Sequence, residues 1–322
     1  MTGARPAETP PAHATPGDVQ TPGGNALPGP FGRWWLAIRP KTLPAAASTV
    51  IVGTALAWWD GGLSVGPALA ALAIAFLLQI GSNLANDVYD DERGADTAAR
   101  LGPTRVTQSG LLSRRQVKTG MAVVFALALA LGIYLTFVRG PLVLVIGVAA
   151  ILSAIAYTGG PYPLGYHGLG EVFVFIFFGL VAVVGTYWLQ TGETAPVAWL
   201  MAVPLGLLIT AILVVNNLRD IEQDRVAGKH TVTVRIGVRA TRVEYAVCVA
   251  GAYLAVAIGA AVGLLPWATL ATWLSVPLAW SVGRVVFMQA GRPLNRALAG
   301  TGRVTLAFSV LFALGLLLAR LL

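Results

Sequence analysis

Nine predominantly apolar stretches, about 43–59, 65–86, 119–138, 141–158, 170–190, 196–216, 243–264, 266–288 and 301–321, follow one another with short polar breaks. As a helix rising 1.5 Å per residue, each is long enough to cross the roughly 30 Å hydrocarbon layer of a bilayer. Hydrocarbon offers no partner to backbone N–H and C=O groups, so such spans must satisfy them internally, as helices do. With 56% hydrophobic and only 11% charged residues, the chain is too oily for a water-soluble core. The expected fold class is an all-α integral membrane protein, a bundle of nine transmembrane helices with two Asp-rich cytoplasmic loops.

A formal net charge of +8 would suggest nucleic acid in a soluble protein. Here the basic residues sit in short segments between apolar runs, where they orient a chain in a membrane, and nucleic-acid binding is not expected. The N-terminal segment and the junctions after the even-numbered runs hold 20 of the 22 Lys and Arg residues, leaving Arg139 and Arg320 opposite. By the positive-inside rule the N-terminus and those junctions are cytoplasmic, and nine crossings put the C-terminus outside a cell membrane. Residues 1–30, with seven prolines and no apolar core of a signal peptide, are expected to be a disordered cytoplasmic tail ahead of one domain over 31–322. Cys248, the single cysteine, lies inside an apolar run and suggests neither a disulfide framework nor a thiolate metal site.

Two large junctions, about 87–118 and 217–242, carry eight of the fourteen acids as well as six basic residues each. Topology alone needs no such acids. Asn83, Asp87 and Asp91 stand at spacing four, and Asn216, Asp220 and Asp224 repeat the pattern 133 residues later. On a helix of 3.6 residues per turn, each set, with Asp90 in the first, falls within about 100° of circumference and forms an acidic stripe. Clustered carboxylates at a membrane edge repel unless cations neutralise them. Two stripes facing each other would therefore hold divalent cations. Mg²⁺ suits them best, because it takes oxygen ligands and typically joins a few carboxylates to substrate phosphates. Arg93, Arg105, Lys118, Arg219, Arg225 and Lys229 beside the acids would complete a diphosphate site. Lys41 and Arg39, opening the first span, either snorkel to lipid or grip substrate.

Four ordered motifs strengthen this reading: "RPKTLPAAASTVIVGTALAW", "NLANDVYDDERGAD" with "LGPTRVTQSG", "YTGGPYPLGYHGLGEVFVFIFFG" and "VNNLRDIEQDRVAGKHTVTVRIG". Over about residues 33–322 the chain resembles the UbiA superfamily of intramembrane aromatic prenyltransferases. Within it, the motifs are similar to those of the branch that prenylates 1,4-dihydroxy-2-naphthoate in menaquinone biosynthesis. The resemblance implies Mg²⁺-dependent transfer of a polyprenyl chain from polyprenyl diphosphate, with loss of CO₂, giving demethylmenaquinone, and two Mg²⁺ ions. Carried across residue by residue, it implies Asn83, Asp87, Asp90, Asp91, Asn216, Asp220 and Asp224 as the metal and diphosphate set. Asp90 and Asp91 compete for one ligand role. It also implies Lys41, Arg105, Gln108, Lys118, Tyr157, Tyr162, Asn216, Arg225 and Lys229 as substrate contacts. Tyr166 stands where other branches carry a lysine after Tyr162, which argues against a 4-hydroxybenzoate acceptor. Glu171 either caps its helix or lines the cavity.

The chemistry asks for the same parts. Charge builds on the departing diphosphate, where cations stabilise it, and the allylic cation left behind needs a dry pocket with aromatic faces. Tyr157, Tyr162 and Tyr166 supply such faces or else belong to an interfacial belt. A secondary transporter would instead place its charges near mid-span. Another aromatic acceptor, 4-hydroxybenzoate, homogentisate or a haem precursor, is the alternative within the enzyme class. Single cysteines placed near residues 100 and 228 in a Cys248→Ala background should be labelled only from the cytoplasmic face. Labelling of either from outside would refute a shared site.

Overall fold

The computed structural model describes residues 28–95 and 100–322. The expected disordered tail lies, except for its last three residues, outside the described residues, and so does Asp96. Every described element is helical. Helix α1 (Pro30–Ile38) lies ahead of the first span, and α2 (Leu43–Trp59) is that span. Then come α3 (Val65–Glu92), α4 (Arg114–Arg139) and α5 (Leu142–Ala156). The second half holds α6 (Gly170–Thr191), α7 (Pro196–Val226), α8 (Val232–Ala261), α9 (Trp267–Met288) and α10 (Leu294–Leu321). All nine expected apolar runs are helices. Eight segments, α1 and α2 counting as one, are both long and apolar enough to cross a membrane, whereas α5 has only 15 residues.

The acidic motifs do not lie on loops, as expected, but on helices that outlast their apolar runs. Helix α3 continues to Glu92 and α7 to Val226, so both motifs ride on the last turns of long helices. The reason is local: between Asn83 and Glu92, and between Asn216 and Val226, no Gly or Pro interrupts the backbone ladder. The ladder ends only at Gly94, whose φ is +68°, and at Gly228, whose φ is +69°. Helix α4 restarts the chain with a capping box, the Ser113 hydroxyl accepting from the Gln116 backbone N–H while the Gln116 side chain accepts from the Ser113 N–H. The junction between α1 and α2 is sharper. Arg39 takes a left-handed φ of +55° just before Pro40, a conformation that costs a non-glycine residue free energy.

The main core joins α2, α6, α7, α8, α9 and α10 around Leu56, Met201, Leu205, Leu208, Phe308 and Phe312. Lipid tails are as apolar as these side chains, so close backbone approach and dispersion rather than the hydrophobic effect hold such helices together. Helices α6 and α7 meet through Gly179 and Gly206: a Cβ on Gly179 would stand 2.8 Å from Ala202 O and from the Gly206 Cα. Between Phe175 and Val184, α6 widens to π-helical turns, which turns Phe177, Phe178 and Val181 toward an internal cavity. Gly179→Leu should force α6 off α7 and cost about 1–3 kcal/mol, visible as a lower melting temperature of the detergent-solubilised protein. An unchanged melting temperature would mean that the two helices do not touch there.

Candidate functional site

A cavity of about 440 Å³ runs between α2, α3, α4, α5, α6 and α7. Its deep part is lined by apolar side chains such as Ile74, Leu78, Leu129, Leu135, Val143 and Phe178, and its mouth by polar ones. The ends of α3 and α7 meet at that mouth. Lys229 joins them, its Nζ lying 3.4 Å from Asp90 Oδ1 and 3.6 Å from Asp224 Oδ1. Asp90 also accepts from Arg105 Nη2 at 2.9 Å and from the Tyr166 hydroxyl at 2.8 Å. Lys229 packs over the Tyr166 ring at 4.6 Å and Arg93 at 5.4 Å, so Tyr166 both donates to the carboxylate and offers its face to two cations. That gives the residue found in place of a lysine a definite part.

Asn83, Asn86 and Asp90 of α3 line the cavity, while Asp87 and Asp91 do not. Spacing four gains about 40° per step on an α-helix, so Asp91 is rotated roughly 80° from Asn83, whereas spacing three and then four returns to the same face. Of the two competing acids, Asp90 faces the cavity and Asp91 pairs with Arg114 at 2.6 Å. Asp87 is fully buried. It accepts from the backbone N–H of Val106 at 3.2 Å and of Thr107 at 2.9 Å, and from Arg39 Nη2 at 3.3 Å. This acid pins the connection between α3 and α4 across the mouth. The strained Arg39 backbone aims its guanidinium at that pin.

The asparagines expected as metal ligands spend their carbonyl oxygens elsewhere. Asn83 donates Nδ2 to Ile38 O and to the Thr42 hydroxyl, while its Oδ1 accepts from Gln79. Asn216 Oδ1 accepts from Arg219 Nη2 at 2.9 Å. A guanidinium only donates, so the Asn216 amide is oriented with Oδ1 on Arg219 and with Nδ2 available as a donor. Arg219 itself forks onto Asp220, Nε to Oδ1 at 2.8 Å and Nη2 to Oδ2 at 2.5 Å, and bonds Asn295 of α10. Asp220, Asp224, Lys41, Tyr157, Arg105 and Lys229 line the cavity as expected.

Four further residues expected as substrate contacts do not. Lys118 stands on the outer face of α4, paired with Glu92 at 2.6 Å. Arg225 pairs with Glu222 at 2.6 Å on the exposed side of α7. Tyr162 is exposed and stacks on His167 at 3.6 Å. Gln108, on the pinned connection, is half-buried but outside the lining. Each is close to the motifs in sequence but turned away by helix or loop geometry. Asn86, Gln79, Asn217, Gln223 and Arg100 line the cavity and escaped sequence reading. For Asn86 the signal was present, since it stands four residues before Asp90 as Asn216 stands before Asp220.

An apolar channel in a bundle of membrane-length helices, closed at one end by carboxylates and cations from two helix ends, is the architecture of a membrane protein with an internal binding cavity. The model of the UbiA prenyltransferase family matches residues 46–294, and the chain belongs to this family. The 1,4-dihydroxy-2-naphthoate octaprenyltransferases of Mycobacterium tuberculosis and Haemophilus influenzae are 39% and 37% identical to it, each over 88% of this chain and 96% of its own length. Among solved structures, the apo form of a UbiA homolog from Aeropyrum pernix K1 superposes with a TM-score of 0.65 at 17% identity, covering 87% of this chain and 98% of that one. A UbiA homolog from Archaeoglobus fulgidus bound to GPP and Mg²⁺ gives 0.62 at 16% identity, over 90% of this chain and 100% of that one. The fold is therefore the family's, and the protein is a membrane-bound transferase.

Asp87→Asn would keep one accepting oxygen but turn an N–H toward the donors of the other, either Val106 N–H with Arg39 or Thr107 N–H. Peptides spanning residues 101–112 should then exchange amide hydrogens about tenfold faster, the equivalent of about 1.4 kcal/mol. Unchanged exchange would show that Asp87 does not hold this connection.

Proposed function

We propose that this chain transfers a polyprenyl group from a polyprenyl diphosphate to 1,4-dihydroxy-2-naphthoate, with loss of CO₂ and diphosphate, giving the prenylated 1,4-dihydroxynaphthalene, the quinol form of demethylmenaquinone. The observation that carries the proposal is the meeting of the α3 and α7 ends at Lys229 over an apolar channel. The names of the relatives and their near-complete coverage support the naphthoate acceptor. The GPP and Mg²⁺ of the A. fulgidus homolog support the donor and the metal.

Two Mg²⁺ ions suit the mouth on the chemistry of its donors. Lys229 already holds a positive charge between Asp90 and Asp224, so this position favours a cation. Among the described residues no three acidic, His or Cys side chains cluster into a ready-made metal site. Mg²⁺ takes few protein ligands and completes its shell with phosphate oxygens and water. Asp90, Asp220 and Asp224 would hold the ions, and Asp87 and Asp91 are not needed. Bound there, Mg²⁺ supplies positive charge against the departing diphosphate.

The chain's own groups do the rest. Lys41, Arg100, Arg105 and Lys229 neutralise the diphosphate, and the Asn216 Nδ2 donates to one of its oxygens. Lys41 has no ion-pair or hydrogen-bond partner among the described residues, which leaves it free for an anion. Tyr157, Phe173 and Phe177 line the channel below and exclude water from the allylic cation while presenting aromatic faces to it. The electron-rich naphthoate ring attacks that cation. The new carbon–carbon bond forms at the carbon bearing the carboxylate, which departs as CO₂ and returns its electron pair to the ring.

On this reading the chain is a multi-pass protein of the cell membrane with nine spans, α5 being the short ninth, accommodated by local thinning of the bilayer. The N-terminus and both acidic helix ends face the cytoplasm and the C-terminus lies outside, a reading supported by the 20-to-2 division of basic residues.

Asp90→Asn and Asp220→Asn should each lower turnover by about 10²-fold or more, since each removes a charge facing the leaving group. The double variant should be little worse than either, because groups acting as a unit are non-additive. Asp91→Asn should stay within a small factor of the parent. EDTA should abolish turnover and Mg²⁺ restore it, with CO₂ released one for one with prenylated product. Near-normal transfer by Asp90→Asn and Asp220→Asn would sink the mechanism, and a product that keeps its carboxylate would sink the acceptor.

A further inference from the structure

Asn217 lines the cavity beside Asn216 but presents the opposite polarity. Its Nδ2 donates to Glu171 Oε1 at 3.0 Å across the contact between α7 and α6. Its Oδ1 has no hydrogen-bond partner among the described residues. An amide whose NH₂ is held by a carboxyl oxygen must turn its carbonyl the other way, so Asn217 offers the cavity an acceptor where Asn216 offers a donor. Glu171 is 91% buried, and its second oxygen, Oε2, is buried without a partner. Keeping a half-satisfied carboxyl in a membrane-embedded helix is costly, and nothing in the diphosphate site uses it.

The surroundings indicate what this acceptor meets. A Cβ on Gly170, the neighbour of Glu171, would stand 2.8 Å from the Tyr157 hydroxyl and 3.2 Å from Leu213 Cδ2. Tyr157, Phe173 and Leu213 share the cavity lining with Asn217. An unpaired carbonyl oxygen beside aromatic and aliphatic walls suits a flat aromatic ring carrying a hydroxyl. It does not suit a phosphate, which would be repelled by it.

We propose that Glu171 is a positioning residue: it locks the Asn217 amide so that Oδ1 accepts a hydroxyl of the aromatic acceptor. The proposal rests on the acceptor reading above. The lock ranks the hydroxyl-bearing face of the ring toward α7 and favours hydroxylated aromatics over their deoxy or O-methylated analogues. It acts on the acceptor alone, since Glu171 is outside the cavity lining.

Purified protein with Mg²⁺ and a polyprenyl diphosphate, titrated with 1,4-dihydroxy-2-naphthoate, provides the test. Asn217→Ala and Glu171→Leu, the latter close in size but without an acceptor, should each raise the acceptor KM by about tenfold, the worth of about one hydrogen bond, with the diphosphate KM unchanged. Glu171→Gln keeps one accepting oxygen and should lie closer to the parent. Glu171→Leu should have no further effect in the Asn217→Ala background, because it works through that amide. The inference fails if both KM values rise together, if Glu171→Leu leaves the acceptor KM unchanged, or if its effect persists without Asn217. Absence of any turnover of this acceptor by the parent protein would instead overturn the function proposed above.

Discussion

Carboxylates at the edge of a bilayer can stay ionised only if cations meet them, and the site is arranged around that demand. Lys229 supplies one such charge to two acids from different helices, Asp90 on α3 and Asp224 on α7. By doing so it fixes how the two halves of the bundle approach each other at the mouth. Arg105, Arg39 and Arg219 do the same for Asp90, Asp87 and Asp220, so each inward or buried acid of the two motifs has a basic partner. Such buried pairs contribute little net stability, because desolvation offsets their attraction. Their value lies in specifying one arrangement, and in holding positive charge where an anionic substrate arrives.

The acids of the two motifs divide into distinct tasks. Asp87, though central to its motif, is a structural anchor for the connection between α3 and α4. Asp91 joins that helix end to α4 through Arg114. Asp90, Asp220 and Asp224 are left to face the cavity. The asparagines divide likewise: Asn83 ties α3 to the α1–α2 junction, Asn216 shows a donor to the cavity and Asn217 an acceptor. Hydrogen-bond polarity, set by partners that can only donate or only accept, gives neighbouring residues of one chemical type different work.

Below the mouth, the bundle answers a second constraint, that a long apolar chain must enter sideways or along the helices without meeting water. The widened turns of α6 and the glycine contact between α6 and α7 bring aromatic faces to the channel while the helices remain closely packed. Channel and charged mouth thus form one continuous cavity.

The helical apolar runs, their order and the presence of two paired acidic motifs were legible in the sequence, because hydrocarbon leaves an apolar run of this length little choice but a helix. Candidate partners of the motifs could be listed from proximity along the chain. Which of them turn inward could not. The four-residue spacing that drew Asn83, Asp87 and Asp91 together drifts by about 40° per step, so the true inner face runs through Asn83, Asn86 and Asp90. Lys118, Arg225, Tyr162 and Gln108 are neighbours in sequence whose side chains point away. Tyr166 and Glu171 acquire their parts only through residues 76 and 46 positions distant, Asp90 and Asn217. Periodicity in the sequence determined the elements and their faces to within a quarter turn; the pairing of charges and amides across helices, which depends on rotation by tens of degrees, was decided by tertiary packing alone.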